Sequence, residues 1–206
     1  MNKELLYGII GLVIGVFLTV FVASNAVNNN MSGIMQMMRI RPQTNLTDNR
    51  NLITTNIDRN FIEQMIPHHE DAITMADIAL QKAKHPEIKQ LAKDIKRTQS
   101  EEITKMKGWY TNWYGKDVPQ AEQAMGGHGM GMMGDESDIT KLETTGNFDK
   151  AFIEEMIPHH QMAVVMATML KNGTNRPEME KLADNIISAQ SKEINQMRQW
   201  YKDWEF

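Results

Sequence analysis

A nine-residue phrase that ends in two adjacent histidines occurs twice in the chain. It runs from Phe61 to His69 and returns from Phe152 to His160, 91 residues later, with one substitution. Four of the six histidines of the protein lie in these two copies. Neutral imidazole binds copper, zinc, iron and nickel, and the thioether of a nearby Met selects soft ions such as Cu(I). The repeated phrase therefore predicts metal binding.

Further potential ligands recur at matching positions of the two copies. A Met precedes the second His of each pair by four residues, so that the two side chains share one helix face. Downstream, a Gln and a Glu interrupt a row of apolar residues, where a polar group buried without a partner costs about 1–3 kcal/mol. The candidate ligands are Met65, His68, His69, Met75, Gln99, Glu102 and Met106 in the first copy, and Met156, His159, His160, Met166, Gln190, Glu193 and Met197 in the second.

Two interpretations of these buried polar groups stay open. They could satisfy one another in a hydrogen-bond network, and methionines at helical spacing are often core filler. Alternatively, they hold an ion. The two copies agree at fewer than half of their aligned positions, yet the candidate ligands recur in both, which favours an ion. Zinc has no use for Met, so the donor set indicates Cu(I), with Ag(I) as its mimic.

A connector rich in Gly and Met lies between the two copies and offers more donors. A flexible segment of this kind can capture an ion without being ordered beforehand. We therefore predict it as a copper-loading segment. Its candidate ligands, separated by glycines, are His128, Met130, Met132 and Met133.

The elements that must position these residues are two helices in each copy. The first helix is expected to begin at Asp58 or Asp149, because Asp is a good N-cap. The second is expected to open at Pro86 or Pro177, because proline suits the first helical turn. One hairpin buries little by itself, so two related hairpins predict an all-α four-helix bundle with a shared core.

The two prolines of the repeated phrase fall inside the predicted first helices. Pro67 and Pro158 each remove a backbone donor, so we expect a kink or a split just before each His pair. The alternative is that a new helix starts at the proline. In the second copy, Lys171-Asn172-Gly173 predicts the end of the first helix.

The N-terminal segment indicates export from the cytoplasm. Leu5 to Ala23 is a nearly continuous apolar run, and its length matches the roughly 20 residues of a bilayer-spanning helix. Ala23 to Ala26 could nonetheless be cleaved. We predict an extracytoplasmic, periplasmic protein that is membrane-anchored or secreted.

Composition excludes several classes of function. With no Cys, the protein has no disulfide, zinc-thiolate site or thiol catalysis. The net charge of −4, without a basic stripe, argues against nucleic acid as a partner.

The predicted segments are 1–26 (anchor or signal peptide), 27–57 (Asn/Met-rich linker), 58–114 (first hairpin), 115–148 (Gly/Met/His connector) and 149–206 (second hairpin), with 58–206 forming one bundle.

The motifs resemble those of the domain-of-unknown-function 305 family. The residues that carry the resemblance, in both copies, are Met65-Ile66-Pro67-His68-His69, Ala72, Met75-Ala76, Gln99, Glu102-Ile103, Met106 and Trp109. The resemblance covers most of the chain beyond residue 57. It implies a ferritin-like helical bundle exported by bacteria, with extracytoplasmic copper binding that serves copper resistance. It also implies that the two His pairs, Met65 and Met156 are metal ligands.

We therefore predict a non-enzymatic Cu(I)-binding protein that sequesters or delivers copper through His and Met ligands. For delivery, the partner would be a copper-transfer protein. Two alternatives remain. A ferritin-like di-metal oxidase would use Glu-x-x-His pairs, which the chain lacks. A helical interaction protein would use Met surfaces to grip a partner helix and would need no metal.

Overall fold

The described part of the protein consists of helices joined by short turns. The structure is a computed structural model, and it describes residues 50–119, 136–204 and 206. Within these ranges there is no strand, which confirms the predicted all-α fold. The helices are α1 (Arg50–Lys82), α2 (Pro86–Tyr114), α3 (Glu136–Thr144), α4 (Phe148–Gly173) and α5 (Pro177–Asp203).

The four long helices form two hairpins that pack into a helical bundle. Helix α1 packs along α2, α4 packs along α5, and the hairpins meet where α1 contacts α4. Helical spacing places Phe61 and Met65 on one face of α1, and Phe152 and Met156 on the same face of α4. All four side chains are fully buried. Because both His pairs follow directly on these faces, the packing of α1 against α4 carries them into the core.

The observed helix boundaries confirm the helix starts predicted from proline and the helix end predicted from glycine. Helices α2 and α5 begin at Pro86 and Pro177, each in the first turn, and α4 ends at Gly173. The predicted Asp N-caps are wrong. Helix α1 already includes residues from Arg50, and α4 is capped by Asn147, whose side chain accepts a hydrogen bond from the Lys150 backbone.

Helices α1 and α4 continue through Pro67 and Pro158. The predictions that each helix is split, or that a new helix starts at the proline, are therefore wrong for both copies. A proline inside a helix costs about 3 kcal/mol. The burial of apolar side chains on both sides of each proline outweighs this cost.

Asp149 binds the turn of the other hairpin. Its carboxylate accepts hydrogen bonds from the backbone N–H groups of Lys84 and His85 at 3.0 and 2.9 Å. The Nδ1 atom of His85 lies 2.5 Å from Asp149 Oδ2. The His85 ring stacks on Trp204, with 3.8 Å between ring centroids. This contact ties the α1–α2 turn to both helices of the second hairpin.

Asp58 occupies the equivalent place in the other half of the bundle. Its carboxylate lies 3.2 Å from Nε of Arg176, in the α4–α5 turn. The Arg176 guanidinium lies 3.9 Å from the centroid of the Trp113 ring. Each Asp therefore locks the turn of the opposite hairpin, which explains why neither acts as an N-cap.

Helix α3 lies within the predicted connector, 115–148, where the sequence predicted no helix. Its Leu142 is fully buried and packs in the same apolar cluster as Phe148. A short polar segment with one strongly buried residue has too weak a periodicity to be predicted as a helix.

The predicted N-terminal anchor or signal peptide, 1–26, lies outside the described residues. The same holds for 27–49 of the linker and 120–135 of the connector. Among the helices that are described, none combines the length and the apolar character needed to cross a bilayer.

Candidate metal centre

The two His pairs meet where α1 contacts α4. The rings of His68 and His159 lie 3.8 Å apart between centroids, at 39° to one another. Within each pair, the ring centroids are 6.2 Å apart. His68, His69 and His160 are buried, and His159 is half-buried with both ring nitrogens shielded from solvent. We call these four residues the histidine centre.

The second His of each pair binds a glutamate on the second helix of its own hairpin. His69 Nε2 lies 2.8 Å from Glu102 Oε2, and His160 Nε2 lies 2.7 Å from Glu193 Oε2. Each glutamate side chain is 14% exposed, whereas each imidazole is fully buried. The repeat of the same contact in both hairpins shows that the centre has the internal symmetry of the sequence.

Unpartnered polar atoms concentrate in and beside the histidine centre. Within the described side chains, seven buried atoms of six residues there have no hydrogen-bond partner. Folded proteins pair nearly all such groups, because each unpaired one costs about 1–3 kcal/mol. The arrangement is therefore what a ligand-binding centre requires. The atoms are Nδ1 of His68, His69 and His160, both ring nitrogens of His159, and Oε1 of Gln99 and Gln190.

Burial keeps His68 and His159 neutral. It lowers the pKa of His68 to about 3, with a smaller contribution from the neighbouring His69. Burial, followed by the nearby His68, also lowers the pKa of His159 well below its ordinary value. A metal ion binds the neutral imidazole. These two rings are therefore ready to bind at any pH near neutrality without first losing a proton.

The predicted methionine ligands of the two hairpins all lie in the core. Met65 and Met156 are fully buried and share a helix face with His69 and His160. The other four are buried as well. Three of the six pack in the apolar cluster, which by itself accounts for their burial: Met75, Met156 and Met197. The remaining three, also buried, are Met65, Met106 and Met166.

A cleft of about 390 Å³ separates α2 from α5 and reaches the glutamates of the centre. Gln99 and Glu102 line one wall, and Gln190 and Glu193 line the other. Each glutamate thus faces the cleft and also contacts a buried His. Sequence reasoning missed this cleft, since its width depends on how far apart the two hairpins hold α2 and α5.

Carboxylates and imidazoles alone do not form a ready-made site in the described part of the chain. No group of three or more His, Asp or Glu residues converges there on one ion position. A centre at the His pairs therefore needs other donors, such as thioethers, or a low coordination number. The predicted loading segment, with His128, Met130, Met132 and Met133, lies outside the described residues and stays a prediction.

The chain is similar to solved structures of CopM with copper or silver bound. It is 53% identical to CopM in the Cu(I)-bound form, with a TM-score of 0.64, over 72% of this chain and 98% of that one. For the Cu(II)-bound form the identity is 57% and the TM-score 0.66, over 71% and 97% of the two chains. CopM has also been solved in Ag-bound forms.

A more distant structure has the same fold. A DUF305 fragment from Deinococcus radiodurans is 27% identical, with a TM-score of 0.60, over 71% of this chain and 95% of that one.

A sequence relative matches a shorter part of the chain. Uncharacterized protein L153 of Acanthamoeba polyphaga mimivirus is 45% identical over 49 residues, 24% of this chain. The match spans about a third of that relative's length (32%).

The family model named Domain of unknown function (DUF305) matches residues 23–76 and 58–201. The second match includes both His pairs, both Gln/Glu pairs and the connector between the hairpins. It covers well over half of the chain and confirms the resemblance carried by the repeated phrase. The chain therefore belongs to the DUF305 family.

Proposed function

We propose that the protein is a non-enzymatic, extracytoplasmic copper-binding protein that holds Cu(I) at the histidine centre. The observation that carries the proposal is the concentration of buried, unpartnered nitrogen and oxygen atoms around His68 and His159. The similarity to CopM, whose structures contain Cu(I), Cu(II) or silver, supports copper as the ion.

The residues present suit a soft ion of low charge. Imidazole nitrogens and the thioethers of Met65 and Met156 are donors that Cu(I) accepts. A di-iron site would use several carboxylates, but Glu102 and Glu193 are both engaged by imidazoles. The same donors make Ag(I) a suitable substitute ion.

The charge of a buried ion is the main energetic obstacle. Transfer of an isolated charge from water into a protein interior is costly unless it is compensated. The two glutamates beside the centre would supply negative charge close to the ion, and the cleft that they line exposes them to solvent. An ion of single charge is therefore easier to accommodate here than a divalent one.

The apolar N-terminal segment of the sequence supports a role outside the cytoplasm. There the protein would sequester copper, support copper resistance, or deliver the ion to a copper-transfer protein. The Met-rich connector would serve as the first point of capture and pass the ion to the histidine centre.

Competition with a chromophoric Cu(I) chelator under anaerobic conditions tests the proposal. The full chain is compared with a variant in which His68, His69, His159 and His160 are all replaced by Ala. His85→Ala is the matched control, because this His lies in the α1–α2 turn away from the centre. Far-UV circular dichroism verifies that every variant remains helical.

We expect the wild type and His85→Ala to withdraw Cu(I) from the chelator equally well. The fourfold variant should lose at least one bound Cu(I) per chain. Equal binding by all three proteins would show that the histidine centre is not the site. A glutamine version of the fourfold variant replaces the alanine version if the latter does not fold.

A further inference from the structure

The hydrogen bonds between the second His of each pair and its glutamate bear on which atoms face the metal. Resting on the proposed function, we infer that Glu102 and Glu193 are positioning residues and do not bind the ion. Each orients an imidazole so that His69 and His160 present Nδ1 to it. This assigns both the ligating nitrogen and the role of the carboxylates.

The direction of the hydrogen bond follows from the groups involved. An ionised carboxylate only accepts hydrogen bonds. At 2.8 Å from Glu102 Oε2, the Nε2 atom of His69 must therefore be the donor. The same holds for His160 and Glu193 at 2.7 Å. A neutral imidazole that carries its hydrogen on Nε2 has its lone pair on Nδ1.

The free lone pair lies on the buried side of each ring. Nδ1 of His69 and of His160 is shielded from solvent and has no hydrogen-bond partner among the described residues. Metal-binding histidines commonly donate their other N–H to a carboxylate, which fixes the tautomer and the ring orientation. Both hairpins show this arrangement, with Nδ1 buried and without a hydrogen-bond partner among the described residues.

Direct binding by the glutamates would be less favourable for a soft ion. Carboxylate oxygen is a hard donor, which suits Mg²⁺, Ca²⁺ and Mn²⁺ better than Cu(I). A glutamate that moved onto the ion would also give up its hydrogen bond to the buried imidazole and leave that N–H unpaired. The cost of an unpaired buried donor opposes such a movement.

Nitrogen NMR on the full-length, ¹⁵N-labelled protein tests the tautomers directly. In the copper-free protein, long-range proton–nitrogen correlations should show that His69 and His160 carry hydrogen on Nε2. Addition of Ag(I), which is diamagnetic, should shift Nδ1 of both rings much more than Nε2. Hydrogen on Nδ1 in the metal-free state, or a dominant Ag(I) shift at Nε2, would overturn the inference.

This experiment separates the inference from the proposed function. If Ag(I) shifts no nitrogen of the four histidines, the histidine centre is not a metal site and the proposed function fails. In that case the metal-free spectrum still decides whether the glutamates fix the Nε2–H tautomer, and the assignment of Nδ1 as a ligand falls with the proposed function.

Substitution of the glutamates provides a second readout. Glu102→Ala removes the acceptor and should lower Ag(I) affinity about 10- to 100-fold, with both tautomers of His69 appearing in the spectrum. Glu102→Gln keeps an acceptor oxygen and should preserve the tautomer, with a smaller loss of affinity than Glu102→Ala, because it removes only the negative charge. Glu101→Ala, on the same wall of the cleft, is the control and should change neither. If Glu102→Gln kept the tautomer but lost as much affinity as Glu102→Ala, the carboxylate would act through its charge or as a ligand, and the positioning role would be refuted.

Discussion

Replacement of His159 by Leu should make the copper-free protein more stable while it weakens copper binding. Both ring nitrogens of His159 are buried, and neither makes a hydrogen bond of normal geometry, although the backbone of His68 lies close enough to favour the protonated ring slightly. The residue as a whole is half-buried. Leu has a similar size and carries no polar atom, so the substitution removes an energetic penalty. A site kept for function is expected to cost stability in this way.

The size of the effect follows from the unpaired groups. One buried group without a partner costs about 1–3 kcal/mol by mutational measures. We allow for the loss of the ring contact with His68, at 3.8 Å, and expect a net gain of about 2 kcal/mol in the free energy of unfolding. For a protein of this size, that gain corresponds to a rise in Tm of roughly 4–8 °C.

Urea and thermal unfolding of the copper-free protein at pH 7.5, followed by circular dichroism, measure the change. Cu(I) competition on the same preparations should show at least a tenfold loss of affinity, since a ligand has been removed. His85→Leu is the matched control. Its Nδ1 is bonded to Asp149, so the substitution should lower the free energy of unfolding by roughly 1–3 kcal/mol.

One outcome would refute the interpretation of His159 as a metal ligand. If His159→Leu unfolded at lower urea concentration than the wild type and bound Cu(I) unchanged, the imidazole would be a structural core residue. The unpaired nitrogens would then have no functional explanation.

Three further predictions concern the pH dependence of stability, the contact of Asp58 with Arg176, and two glycines of the helices. Because burial lowers the pKa of His68 to about 3, below its unfolded value of 6.5, the unfolded state binds the proton first on acidification. The stability held above pH 6.5 should therefore fall by roughly 1.4 kcal/mol per pH unit towards pH 3. Asp71, whose pKa burial raises to about 6, acts in the opposite sense. The difference in urea stability between wild type and His68→Leu therefore measures the effect of His68, including its smaller influence on the pKa of His159; an equal pH slope in both proteins would contradict it. Arg176→Ala leaves the buried Asp58 without its cation and should cost about 3 kcal/mol in urea unfolding. Lys171→Ala, which breaks an exposed ion pair with Asp184, should show no measurable change, and equal stability of these two variants would refute the locking role of Asp58. Gly108→Ala adds a methyl group to the interior of α2 where nothing lies within 4 Å, and should raise the free energy of unfolding by about 0.5–1 kcal/mol. Gly173→Ala would place its Cβ 2.5 Å from the buried Ile57 side chain and should lower that free energy by about 1 kcal/mol or more; thermal unfolding that ranked the two glycine variants in the reverse order would contradict this packing.

The local features of the fold could be predicted from the sequence. The first-turn prolines and Gly173 define helix ends through backbone chemistry alone, and the structure has those ends where they were expected. The period of the apolar residues also indicated that the His pairs point inward, because a helix of 3.6 residues per turn places His68 in the same lane as Phe61 and Met65. The repeated phrase, together with the downstream Gln, Glu, Met and Trp positions, was sufficient to identify the family.

Only the tertiary structure shows which residues contact one another between the helices of the bundle. An Asp near a helix start looks like an N-cap in the sequence, yet Asp58 and Asp149 bind the turns of the opposite hairpins. In the same way, the sequence placed Glu102 in a buried row but could not show that it hydrogen-bonds His69. A periodic pattern specifies which side of a helix is buried, whereas the element that covers that side depends on how the helices pack.

The histidine centre depends both on the sequence, which supplies its donors, and on the tertiary structure, which brings them together. Residue types and spacing determined the available donors, since imidazole and thioether chemistry does not depend on the fold. Only the packing of α1 against α4 brought His68 within 3.8 Å of His159, across 91 residues of chain. Only the separation of α2 from α5 opened the cleft to the glutamates. Contacts between residues so distant in sequence leave no local pattern, because their geometry is set by the balance of packing over the whole core.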